Sequence, residues 1–200
     1  MIAEREDNMM KLYGSTTSPY VRRLRLLLHE KTLDFVVLNI MDPKDRKILS
    51  EISPVMKIPV MEIDGVTVWD SRQIFNYLTK QNIHRELSVK EENLLTAIDA
   101  INDSLVQLFL IERSSVTLGQ ENSYQKNNSE RIELSVQFLE QEIQNRAFES
   151  WHYPSMALFS LIDWANFRNR YDFKKFPRLW SWYNENKQRS GVRETDPRSS

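Results

Sequence analysis

Three short runs in the N-terminal half carry groups whose types and spacing could do chemistry. Ser15-Thr16-Thr17-Ser18 lines up four hydroxyls immediately ahead of Pro19. A serine hydroxyl donates one hydrogen bond to an anion, and it equally accepts one from the free N–H groups of a helix start. Ser18 before a proline at the favoured first helical position therefore reads as a cap and as a candidate catalyst, with Ser15, Thr16 and Thr17 as rival hydroxyls. Ile58-Pro59 places a proline at the entry to an apolar strand, the position to which proline is confined in a sheet, and marks a candidate cis bond. Asp70-Ser71 opens a helix whose free N–H groups and dipole favour a carboxylate ligand.

What is missing narrows the chemistry. With no cysteine there is no disulfide framework, thiolate metal site, redox pair or cysteine nucleophile, so any thiol must arrive with a ligand. The glycines are four, Gly14, Gly65, Gly119 and Gly191, and no P-loop or GxGxxG turn can be written with them. His29-Glu30 lacks the second histidine of a zinc-protease motif, and His29, His84 and His152 have no metal-site spacing. No GxSxG elbow is present. A net charge of -1, balanced in both halves, gives no basic surface for nucleic acid. The longest mostly apolar run, Leu105 to Ile111, is too short to span a bilayer, and the acidic N-terminus lacks the pattern of a secretory leader. A cytoplasmic protein with no membrane and no metal is expected.

The elements that position these runs follow from periodicity. A brief strand at Lys11 to Gly14 leads into a helix with Tyr20, Val21, Leu24, Leu27 and Leu28 on one stripe, leaving Arg22, Arg23 and Arg25 as a solvated face. Phe35 to Ile40 reads as a buried strand and Pro43 to Ile52 as a charged helix. Ile58 to Ile63 and Val66 to Trp69 flank Asp64-Gly65, the pair favoured in a two-residue hairpin. Asp70 then caps a helix, with Gln73 placed to complete a capping box. The order β-α-β-α-β-β-α predicts a mixed sheet whose first two strands are parallel and whose hairpin adds an antiparallel edge. After a polar linker every long segment reads as helix. The stripes are Leu94 to Phe109 and Ile132 to Ile143, a polar break covers Gly119 to Ser129, and further helices open at Pro154-Ser155 and Pro177. The expected division is 10–80 for the α/β domain, 81–87 for the linker, 88–190 for the all-helical domain and 191–200 for a frayed tail.

This layout resembles the glutathione transferase family, with its thioredoxin-like N-terminal domain and all-helical C-terminal domain. The likeness runs from Lys11 to about Arg189. SPYVRRLRLLLHEK at Ser18–Lys31 is similar to the family's first helix, and KIPV at Lys57–Val60 to its cis-proline loop. DGVTVWDSRQIFNYL at Asp64–Leu78 is similar to its hairpin and γ-glutamyl-binding helix. DWANFRNRYDFKKFPRLWSWYN resembles the last helices of bacterial members.

The resemblance implies that Ser18 donates to the sulfur of glutathione. It also implies that the backbone of Ile58, ahead of Pro59, pairs with the cysteinyl part, that Asp70 and Ser71 hold the γ-glutamyl end, and that Lys57 approaches the glycine carboxylate. The expected reaction is attack of the glutathione thiolate on an electrophilic small molecule, by a homodimer. Phe109 and Arg113 are pocket candidates in the helical half. The alternatives are a non-catalytic regulatory module of the same fold, like the stringent starvation protein, and a carrier of apolar ligands. The chain departs from the family pattern in Pro54-Val55-Met56-Lys57, where a glycine often precedes the loop, and at Leu158, where an aspartate is usual. The missing cysteine sets it apart from the omega-like and beta-like branches.

Overall fold

The computed structural model describes residues 10–119 and 122–199, so the acidic N-terminal run lies outside the described residues. The chain forms two compact units. One holds the residues up to Glu86 together with Ser190–Ser200, and the other is Leu87–Arg189.

In the first unit, β1 (Met10–Gly14), α1 (Pro19–Leu27), β2 (Leu33–Val37), α2 (Pro43–Ile52), β3 (Val60–Ile63), β4 (Val66–Trp69) and α3 (Ser71–Lys80) follow in order. The sheet runs β2-β1-β3-β4, with β1 parallel to β2 and antiparallel to β3, and β3 antiparallel to β4. This is the mixed sheet that the element order predicts. Asp64 and Gly65 both have positive φ, 49° and 76°, as the two-residue hairpin requires. Gly14 is fixed by contact instead, because a Cβ there would stand 2.4 Å from Val21 Cγ2. That absence lets α1 lie directly on the end of β1.

Two readings of this unit need correction. The second strand is Leu33–Val37 rather than Phe35–Ile40, because its partner β1 ends at Gly14, opposite Val37. Beyond one more bond, Leu38 N–H to the Gly14 carbonyl, the backbone turns away, with Asn39 N–H donating to Asp45 at 2.7 Å. Nor is the arginine face of α1 solvated. Arg22 is 3% exposed and Arg23 fully buried. The residues that hold Arg22 belong to the chain's end, which is not frayed. Arg22 donates through Nε to Thr195 Oγ1 at 3.3 Å and through Nη2 to the Val192 carbonyl at 3.2 Å. Arg25 donates to the Glu194 carbonyl at 3.1 Å and stacks over Phe35. A buried guanidinium needs acceptors, and the tail supplies them as backbone carbonyls and one hydroxyl.

The second unit is helical: α4 (Val89–Arg113), α5 (Ser123–Gln144), α6 (Tyr153–Phe167) and α7 (Pro177–Asn186). α4 is long and apolar enough by length and composition to cross a membrane. Here, however, Leu94, Leu95, Ile98, Ile101 and Leu105 are buried, and the helix packs against α5 and α6. It begins with a reciprocal capping box between Ser88 and Glu91. The polar stretch read as a break to Ser129 becomes helix from Ser123. The Asn122 side chain accepts from the N–H groups of Tyr124 and Gln125, and Asn128 donates to the Tyr124 carbonyl, so the polar groups serve the helix instead of ending it.

Candidate functional site

The sheet register gathers the three runs. Tyr13 pairs with Val60, and Val60 with Trp69. From this one row β1 continues through Gly14 into the hydroxyl run, β3 leads back to Pro59 and Ile58, and β4 leads on to Asp70. Ser18, Pro59 and Asp70 are therefore carried to the same end of the sheet, the C-terminal end of β1, where open α/β sheets take ligands.

Ser18 is the N-cap of α1, with extended backbone and Pro19 in the first helical position. Its Oγ accepts from Val21 N–H at 3.3 Å, a long bond that leaves the hydroxyl hydrogen to be donated elsewhere. Ser15 and Thr17 hold each other, Oγ to Oγ1 at 3.2 Å, and Ser15 Oγ also accepts from Thr17 N–H. Ile58-Pro59 is cis. Pro59 is buried, Lys57 is exposed, and Ile58 packs against the cluster of Leu38, Leu49 and Val60. Where the family often has glycine, Met56 adopts φ 53°, so a residue with a Cβ holds the left-handed conformation.

Asp70 has φ 72° and ψ 135°, a sparsely populated combination for a residue with a side chain. Its Oδ1 accepts from Arg72 N–H at 2.8 Å and Gln73 N–H at 3.4 Å. This is the forward half of the predicted capping box. Ser71, the buried first residue of the helix, follows directly on this cap. Trp69, which sequence reasoning passed over, donates through Nε1 to the Ile52 carbonyl at 2.8 Å and ties the end of β4 to the end of α2.

Tyr13 is committed to the sheet. Its hydroxyl donates to Glu62 at 3.0 Å. Burial first, then the hydrogen bond and charge of Glu62, push the phenol up to about 12, so it stays protonated. In the second unit Glu91, His152 and Ser155 form a connected chain, with Glu91 Oε1 at 3.0 Å from His152 Nε2 and His152 Nδ1 at 2.9 Å from Ser155 Oγ. The connectivity is that of a hydrolase triad, but Ser155 is fully buried and donates to the Ser150 carbonyl at 2.7 Å. It fastens the start of α6 beside the buried Leu158. Among the described residues no group of three or more histidines and acids could hold a metal.

Comparison with known proteins places this geometry. The family model for the glutathione S-transferase N-terminal domain matches residues 12–84, which span β1 to just beyond α3. An uncharacterized GST-like protein of Escherichia coli, YibF, is 26% identical over 168 residues, 80% of this chain and 83% of that one. A glutathione transferase family member from Pseudomonas fluorescens Pf-5, solved with bound glutathione, is 26% identical with a TM-score of 0.74, covering 94% of this chain and 98% of its own. A glutathione S-transferase from Methylobacillus flagellatus, solved with GSH bound, shares the fold with a TM-score of 0.80 at 23% identity, over 94% and 99% of the two chains. The sheet order, the cis proline at the strand entry and the helical second unit therefore have one common explanation: residues 12–84 are a glutathione S-transferase N-terminal domain, and the chain shares the glutathione transferase fold.

Proposed function

We propose that the chain is a glutathione transferase, in which Ser18 activates the glutathione thiol for attack on an electrophilic small molecule. The observation that carries this reading is the register row Tyr13–Val60–Trp69, which sets a hydroxyl, a cis-proline backbone and a helix-opening Asp-Ser pair at one end of the sheet. Asp70 keeps Oδ2 for the ligand's ammonium group while Oδ1 caps the helix, and Ser71 takes the γ-glutamyl carboxylate at the positive end of α3. The Ile58 backbone pairs with the cysteinyl residue, Pro59 holds that backbone in place, and Lys57 neutralises the glycine carboxylate. Ser18 is favoured over its neighbours because Ser15 and Thr17 engage one another. Capping and catalysis are compatible in Ser18, since it accepts with a lone pair and donates with its hydrogen. We place the working protein in the cytoplasm as a homodimer.

Calorimetric titration with glutathione tests the reading. Wild type should bind, and Ser71→Ala should weaken binding at least about tenfold, the loss of a hydrogen bond to a charged group. No heat and no thermal shift at millimolar glutathione would remove the enzyme reading and leave a non-catalytic module of the same fold.

A further inference from the structure

Positive charge collects around α7. Residues 173–189, which hold α7 and the single 3-10 turn ahead of it, carry Lys174, Lys175, Arg178, Lys187 and Arg189 against one acid, Glu185. The whole chain has a net charge of -1. Two of these lysines close on one indole. Lys174 Nζ lies 5.7 Å and Lys187 Nζ 5.6 Å from the centre of the Trp180 ring, and Lys187 Nζ is also 4.6 Å from that of Tyr183. Trp180, Asn184 and Lys187 follow at the spacing of one helix face. Both lysines are exposed and Trp180 is half-buried.

The fold does not neutralise this face. The helix dipole favours Lys187 at the C-terminal end of α7 but disfavours Lys174 and Lys175 ahead of its N-terminal end. Contact with the ring attracts each ammonium and leaves its charge in place. The carboxylates at hand are used elsewhere. Glu140 caps α7, accepting from the N–H groups of Arg178 and Leu179 at 3.0 and 2.8 Å. Glu185 accepts from Ser181 at 2.9 Å, and Asp172 from the N–H of Lys174 at 3.2 Å. Lys187 finds only the neutral Asn184 side chain, at 2.8 Å. Among the described residues Lys174, Lys175 and Lys187 form no ion pair, and the indole N–H of Trp180 meets no acceptor. The Asn184 amide is spent on the Trp180 carbonyl. The polar groups this face still offers are therefore all donors.

We propose that this face of α7 docks an acidic segment of a partner protein, a short run of Asp or Glu with one apolar side chain set among them. Carboxylates accept from both ammonium groups and from the indole N–H. The open part of the Trp180 ring takes the apolar side chain, and tryptophan is among the residues that most often anchor an interface. Single-stranded nucleic acid fits less well, because a base must stack on the aromatic face where the two ammonium groups already lie. A backbone-tracking stripe is also longer than α7, which runs about 15 Å. A membrane surface would need a row of exposed apolar side chains, and Leu179, Trp182 and Tyr183 of α7 are buried. The face lies within the helical unit and uses none of the residues assigned to glutathione.

The test is the fluorescence anisotropy of a labelled peptide in which glutamates surround one leucine, titrated with the full chain at low ionic strength, where charge recognition is least screened. A control peptide carries glutamine in place of each glutamate. The acidic peptide should bind at least about tenfold tighter than the control, and the difference should shrink as salt is added. Lys174→Gln and Lys187→Gln together should weaken it about tenfold. Lys44→Gln and Lys47→Gln together, which remove two exposed lysines of α2, should leave it unchanged. All four positions are exposed, so each variant should keep the wild-type melting temperature, which shows that a loss of binding is not a loss of fold. No saturable binding of the acidic peptide, equal binding of the two peptides, or equal affinity losses in the two lysine pairs would overturn the proposal. So would unchanged affinity without Lys174 and Lys187, or tighter binding of oligouridylate or of phosphatidylserine vesicles than of the acidic peptide.

Discussion

Ser18→Ala separates the cap from the catalyst, because the two roles predict effects of different size on different measurements. As a cap, the Oγ accepts one backbone bond at 3.3 Å, a long one for a residue that is only half-buried. Its loss should cost about 1 kcal/mol within the ~0.5–2 kcal/mol typical of such replacements, read as a lower urea midpoint at unchanged slope. As a donor to the glutathione thiolate, the same hydroxyl stabilises a charged acceptor by about 1.5–3 kcal/mol. At 1.36 kcal/mol for each pH unit, its removal raises the bound thiol's pKa by about 1–2. If the wild-type complex holds that thiol near ~6.5 against a free value near ~8.5, the variant should be about five- to fiftyfold slower at pH 6.5. The deficit should shrink above pH 9, where the thiol ionises unaided. The assay is kcat/KM for conjugation to an activated aryl halide across pH 5.5–9.5, whose acid limb reports the essential thiolate. A limb that stays in place while the urea midpoint falls would refute the catalytic role and leave Ser18 a cap. Should the limb move instead in Thr16→Ala, the activating hydroxyl is Thr16.

Two further predictions concern the frame around the site. Thr195 accepts from the buried Arg22 and donates to the Gly191 carbonyl at 2.7 Å. Thr195→Val removes both bonds at nearly constant volume and should cost about 2 kcal/mol, or about 4–8 °C in Tm if both units unfold together. Thr195→Ser should stay within about 0.5 kcal/mol of wild type, and a loss in Thr195→Ser with none in Thr195→Val would show that the methyl group, not the hydroxyl, secures the tail. Tyr13 binds its proton more tightly folded than unfolded, so it favours the native state below about pH 10, the unfolded value, and that contribution fades as pH rises towards 12. The absorbance difference between wild type and Tyr13→Phe should therefore show one phenol ionising near pH 12, and a step near 10 would refute its commitment to Glu62.

The N-terminal unit is legible in sequence because its signals are local. Asp64-Gly65, Ser18-Pro19 and Asp70-Ser71 each announce a turn or a helix start within four residues, and strand alternation links them. What could not be read was set by partners far along the chain. Arg22, Arg23 and Arg25 fall off the apolar stripe of α1, and only a tail about 170 residues later supplies the acceptors that let Arg22 be buried. Met56 carries no mark of its left-handed backbone, because the usual signal, a glycine, is absent. α6 gives no clear stripe, since it is buried from Tyr153 to Ala165 on every side.

The site itself was legible for a reason that also blurs it. A helix start offers unpaired N–H groups, and a cap residue satisfies some of them in the same way as a bound carboxylate. Asp70-Ser71 would therefore look alike in sequence with or without a ligand. The backbone breaks the tie. A cap needs only extended geometry, as Ser18, Asp42, Ser88 and Asn122 all have, whereas Asp70 stands at φ 72°. Capping alone does not require that conformation, which costs of order 1–3 kcal/mol and persists where the surrounding structure imposes it. Here the register imposes it: β4 must end opposite Val60 and α3 must begin at once, with Ser71 buried beneath the chain. Strain at that one residue, and not the capping pattern, is what supports the proposal that this end of the sheet presents a ligand site.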